Sequence, residues 1–126
     1  MRIIPKSLRI WFIVHFVVDF LFAIPLFIVP IKVLTIFGFE DTNVLFARLV
    51  AAALFGIGGA SFLVREQNAD SYNALLSVKV IWSIAAIVAL VLSLIEGWSV
   101  YVLIILIVFI IFSITWIYYK SRLNRN

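Results

Sequence analysis

The sequence predicts an all-α membrane protein, a four-transmembrane-helix bundle with a short interfacial helix between spans 1 and 2. Three observations carry that reading. Of the 126 residues, 66% are hydrophobic and only 13% charged, against about half and about a quarter in soluble domains. The apolar residues gather into four runs, each near the ~20 residues that cross a bilayer core. No run alternates as a strand does, and in lipid only helices or closed barrels satisfy their backbones. Four short spans cannot close a barrel. The length fits one domain covering residues 1–126.

The first span runs from about Arg9 to Val29. Arg2, Lys6 and Arg9 before an apolar run imitate a secretory signal. The run is too long for one, contains Asp19 and lacks a small-residue cleavage site, so it reads as an uncleaved span. Between Ile10 and Val29 lie fifteen Ile, Leu, Phe or Val residues, each contributing about −0.3 to −0.6 kcal/mol to insertion. Their sum outweighs the roughly +3 kcal/mol of a central Asp. The helix is expected to insert with Asp19 turned inward and Pro25 kinking its outer third.

Pro30 at a start and Gly38 just past an end predict a short helix between the first two spans. Leu34 and Phe37 would dip into the membrane surface beside Lys32. Asp41, Thr42 or Asn43 can cap the second span, expected over Val44 to Val64. The third span lies within Ala74 to Ile95, with Asp70 or Ser71 as its cap. Glu96 and Gly97 make a tight turn, which forces the third and fourth spans to be antiparallel neighbours. The fourth covers Trp98 to Tyr119, carries no charge, is rich in Ile and is expected to face lipid.

The basic residues fix an orientation. An even number of spans puts the termini and the middle connector on one side. That side holds Arg2, Lys6, Arg9, Arg65, Lys120, Arg122 and Arg125, and the other holds Lys32. The positive-inside rule places both termini in the cytoplasm and the protein in the cell membrane as a multi-pass chain. The same distribution assigns the net charge of +4 to membrane topology and leaves no nucleic-acid partner. The absence of cysteine excludes thiol chemistry and cysteine-held clusters, and a single histidine argues against a zinc or bis-histidine haem site. No cofactor or metal is expected.

Four ionisable residues fall inside the spans: His15, Asp19, Arg48 and Lys79. Such residues are costly in lipid and mark a functional site by default. At 1.5 Å rise per residue, Asp19 sits near the midplane, His15 and Lys79 each about 7 Å from the midplane towards the cytoplasm, and Arg48 about 9 Å towards the outside. Side chains lean towards a helix N-terminus, so Asp19 and Lys79 lean to one level. These depths pair Asp19 with Lys79, His15 nearby, and Arg48 with an outer carboxylate, Glu40, Asp41 or Glu96. His15 and Asp19, four apart, share a face. Trp82 and Ser83, one turn beyond Lys79, would complete a polar pocket with Tyr72. The competing reading is structural: the pairs lock the bundle while Lys79 snorkels to the surface.

Ala52, Gly56 and Ala60 repeat every four residues on the second span, a spacing that lets another helix approach closely, in the same chain or a second copy. Gly56 to Ser61 lacks the spacing of a nucleotide-binding loop and lies in the wrong place for one. Trp98, Trp116, Tyr118 and Tyr119 sit near span ends and read as interface anchors.

Phe37-Gly38-Phe39, Ala47-Arg48-Leu49 and Ile57-Gly58-Gly59, with hydropathy along the whole length, resemble the small four-helix membrane proteins grouped as DoxX-like. The resemblance implies the fold. Some DoxX-type proteins are partners of quinone-linked sulfur oxidation, but no cofactor motif here supports that role. Two functions stay open. One is a non-enzymatic module that binds a lipid, a small hydrophobic ligand or a protein partner through an intramembrane polar cluster. The other is a small proton-coupled transporter working as a homo-oligomer, similar in outline to small multidrug resistance transporters. A membrane enzyme would need a nucleophile or metal site that these residues do not assemble.

Overall fold

A computed structural model of the chain describes residues 3–40 and 43–125. The described residues form five helices: α1 (Lys6–Ile28), α2 (Pro30–Ile36), α3 (Val44–Leu63), α4 (Ala69–Glu96) and α5 (Val100–Arg125). Four of them, α1, α3, α4 and α5, are long and apolar enough to cross a membrane. The protein is a multi-pass, all-α membrane protein, with α2 as the short helix expected between the first two spans. The helices fall into two compact units, α1 to α3 within Pro5–Gln67 and α4 with α5 from Asn68 onward.

Local chemistry explains each boundary. Val29 precedes a proline, which disfavours the α region; it adopts φ −127°, ψ 62° and ends α1. Pro30 then opens α2 at a position where a missing N–H costs nothing. Gly38 takes φ 82°, its N–H donates to Thr35 O at 3.0 Å, and Phe39 N–H donates to Leu34 O at 2.9 Å. That pair of bonds is a Schellman cap, which needs a left-handed residue at Gly38. Asn43 caps α3, its Oδ1 accepting from Phe46 N at 3.1 Å; Asp41 and Thr42, the other expected caps, lie outside the described residues. Asn68, and not Asp70 or Ser71, caps α4, accepting from Ser71 N at 3.0 Å. Asp70 instead sits in the first turn, where a negative charge complements the helix dipole. Gly97 to Ser99 link α4 to α5.

Hydropathy placed the membrane-crossing cores but not the helix ends. α4 begins five residues before the expected Ala74, and α5 runs beyond Tyr119 to Arg125, because a helix continues into polar sequence until a cap stops it.

In the first unit α1 packs on α3. α1 buries Leu8, Phe12, His15, Asp19 and Ala23, a stripe three to four residues apart. α3 buries Ala47, Ala51, Gly58 and Ser61. Phe16, Phe20, Phe55 and Phe62 flank the contact, with ring centroids 4.6–5.0 Å apart. In the second unit α4 buries Tyr72, Leu76, Lys79 and Ser83, and α5 contributes Phe112, Ser113, Trp116, Tyr119 and Leu123. The outward faces are Ile, Leu, Val and Phe, the surface that lipid solvates.

The fourth span does not simply face lipid. Its Ile104, Ile107, Ile111, Ile114 and Ile117 point outward, but 28% of its most apolar window is buried against 11% for α4. Trp98 and Tyr118 are exposed, as interface anchors would be, while Trp116 and Tyr119 are buried. The anchor reading does not hold for those two, because α5 extends past both and the Trp116 ring meets Lys79 of α4.

Candidate functional site

Each unit holds its own buried polar cluster. In the first, one helical turn brings His15 Nε2 to 3.2 Å from Asp19 Oδ2. Both residues are about 95% buried. The separation is that of a hydrogen bond, but the alignment is not, and Asp19 Oδ2 is left buried without a hydrogen bond. An acceptor in that state normally costs about 1–3 kcal/mol or more for a charged group. His15 keeps further interactions of its own.

Gly58 of α3 makes the room for Asp19. A Cβ at Gly58 would lie 2.7 Å from Asp19 Cβ and 3.2 Å from Asp19 Oδ2. The carboxylate therefore rests against bare helix backbone, in a notch that any larger residue would fill. An imidazole and a carboxyl group held this way can exchange a proton, or present one acceptor to a donor on a bound molecule.

In the second unit Lys79 is completely buried, with Nζ 4.5 Å from the centroid of the Trp116 ring. A desolvated ammonium over an indole face gains about 2 kcal/mol. Lys79 does not snorkel to the surface. Ser83 Oγ lies 3.0 Å from Ser113 Oγ and 3.1 Å from Val80 O. The Trp82 ring sits 6.3 Å from that of Phe109, and its buried Nε1 has no hydrogen-bond partner. Lys120 Nζ joins Asn73 Oδ1 at 3.1 Å, tying α5 to the start of α4.

Among the described residues Arg48 bonds to backbone. Its Nε donates to the carbonyl of Phe27 at 3.1 Å, with the guanidinium 5.9 Å from the Phe27 ring. Among the described residues it pairs with no carboxylate; Asp41 lies outside them. The last turn of α1 has no basic residue, and Arg48 supplies the missing positive charge and donor from α3. Arg9, near the start of α1, donates in the same way to the carbonyl of Arg65, just past α3. Two antiparallel helices thus cap each other's C-terminal ends. Phe27 is eight residues beyond Asp19, about 12 Å along the helix, so Arg48 belongs to that clasp and not to the His15–Asp19 cluster.

The small-residue stripe is also placed by the structure. Ala52 and Gly56 are exposed and Ala60 half-buried, and a Cβ at Gly56 would meet nothing within 4 Å. At 3.6 residues per turn they lie on the face opposite Ala47, Ala51 and Gly58. The close approach to α1 runs through Gly58, which sat in the sequence as one of several neighbouring small residues.

Sequence reasoning missed Trp116, Ser113 and Asn73. Ser113 and Trp116 are three apart, and a polar residue one turn from an aromatic inside an Ile-rich span was the available signal. Among the described residues no three His, Asp or Glu side chains gather as a metal site would require. Comparison of the chain with protein-family models, curated proteins and solved structures gave no match.

Proposed function

We propose that the protein is a non-enzymatic membrane module that binds a lipid, a small hydrophobic ligand or a protein partner, with the His15–Asp19 pair as its polar anchor. The observation that carries the proposal is Asp19 Oδ2, a carboxylate oxygen buried inside a membrane span without a hydrogen bond. Membrane interiors tolerate such an atom poorly, and a donor on a bound molecule would satisfy it. The proposed setting is the cell membrane with both termini cytoplasmic, from the seven-to-one split of flanking basic residues. Kinship with the DoxX-like proteins is part of the same proposal.

The test is native mass spectrometry of protein released from nanodiscs, for wild type and Asp19→Asn. A small molecule retained by wild type and lost from the folded variant supports the reading. Identical bound species in both sink it.

A second reading is a proton-coupled transporter acting as a homo-oligomer. What favours it is an acid–imidazole pair that can hold a proton, together with a small-residue stripe turned outward, where a second copy could pack. Proton flux in liposomes that disappears in Asp19→Asn supports it, and silent wild-type protein removes it.

A further inference from the structure

A second feature lies apart from the polar clusters, where α2 folds back on α1. Leu21, Phe22 and Pro25 of α1 and Val33, Ile36 and Phe37 of α2 line an apolar groove of about 190 Å³. Phe22 and Phe37 stack across it with centroids 6.2 Å apart. Leu21 and Ile36 on its walls are exposed.

Two facts identify the occupant. The first is place. The groove lies on α1, a helix long and apolar enough to cross a membrane, so the alkyl chains of the bilayer are what meets it. The second is charge. Lys32 is the one Lys or Arg between Arg9 and Arg48. It is exposed and stands one turn before Ile36 on the same side of α2. Among the described residues it has no ion-pair or hydrogen-bond partner. We infer that this groove is a binding site for an anionic phospholipid, one acyl chain lying between α1 and α2 and the phosphate meeting the Lys32 ammonium. The site lies in the leaflet opposite the chain termini, since α2 follows a single crossing. The Schellman cap at Gly38 and the Val29–Pro30 break hold α2 in the position that forms the groove.

The experiment uses full-length protein in nanodiscs of equal phosphatidylglycerol and phosphatidylcholine, with bound lipid counted by native mass spectrometry. Wild type is expected to retain phosphatidylglycerol in preference. Lys32→Gln should reduce that preference about fivefold, the discrimination one basic residue provides near an anionic surface. Val33→Trp, which fills the groove and leaves the charge, should lower retention of both lipids. Circular dichroism and thermal unfolding identify folded variants, and Lys32→Gln alone decides if Val33→Trp does not fold. Equal retention of the two lipids by wild type, or an unchanged preference in Lys32→Gln, overturns the site and leaves only unspecific annular lipid.

Discussion

Gly58→Ala tests the packing of the candidate site most directly. The new methyl would lie 2.7 Å from Asp19 Cβ, where carbon atoms prefer about 3.5–4.0 Å. Both atoms are rooted in helix backbone, so relief requires α1 and α3 to separate by about 1 Å or Asp19 to leave its rotamer. Overpacking of this kind costs typically 1–3 kcal/mol. Replacing a helical glycine by alanine returns about 1 kcal/mol. The net expectation lies between no change and a loss of about 2 kcal/mol. Gly56→Ala is the internal control: it gains the same propensity and meets nothing within 4 Å, so it should stabilise by about 1 kcal/mol. Reversible unfolding in mixed micelles, followed by circular dichroism, should separate the two variants by about 1–3 kcal/mol, the overpacking cost alone, since the propensity gain is common to both. Adding Asp19→Gly to Gly58→Ala removes the opposing carbon and should recover part of the loss, a coupling read from the double-mutant cycle. Gly58→Ala as stable as Gly56→Ala would refute the close contact and with it the notch that holds Asp19.

Arg48→Met should cost about 1.5 kcal/mol, the low end for a hydrogen bond involving a charged group. The same unfolding titration measures it, and no loss would mean the α1 carbonyls are satisfied without Arg48. The contact of Lys79 with Trp116 is tested by a double-mutant cycle: Trp116→Leu should cost about 2 kcal/mol more in wild type than in Lys79→Met, because only wild type places an ammonium over the ring. Strictly additive losses would show that the ring does not hold the charge. For topology, Ile3→Cys and Gly97→Cys are treated with an impermeant thiol reagent in intact cells. The proposed orientation expects labelling at Gly97→Cys only, and the reverse pattern overturns it.

The sequence was most informative where one residue type has one physical consequence. Pro30 and Gly38 bracket α2 because proline is tolerated at a helix start and Gly38 can take φ 82°. His15 and Asp19 meet because four residues make one turn. It was least informative where the partner is backbone. Nothing in the identity of Phe27 or Arg65 says that its carbonyl ends a helix and awaits a guanidinium, so the sequence did not point to these two bonds. The small residues of α3 are ambiguous for a related reason. Spacing by four fits Ala52, Gly56 and Ala60 as well as Ala47 and Ala51, and only the bulk of Asp19 across the contact selects Gly58. Trp116 and Tyr119 were misplaced because hydropathy ends where lipid ends, whereas α5 continues to Arg125.

These placements follow from a single physical rule. In lipid, apolar surface does not drive helices together, so polar groups and close packing must. Each helix pair accordingly turns its Ile, Leu and Phe outward and buries its few polar side chains: His15, Asp19 and Ser61 in the first unit, Lys79, Ser83 and Ser113 in the second. Most of these are explained by association alone. Ser61 returns its hydroxyl to Ile57 O at 2.9 Å, Ser83 and Ser113 bond each other, and Lys79 lies over Trp116. Asp19 is different. An Asn or Ser beside Gly58 would serve packing as well and would insert into the membrane at lower cost. The carboxylate instead keeps Oδ2 unsatisfied and next to the chain's single histidine. A group that helix association does not require, held by a glycine that leaves no room for replacement, is the part of this molecule whose chemistry function must explain.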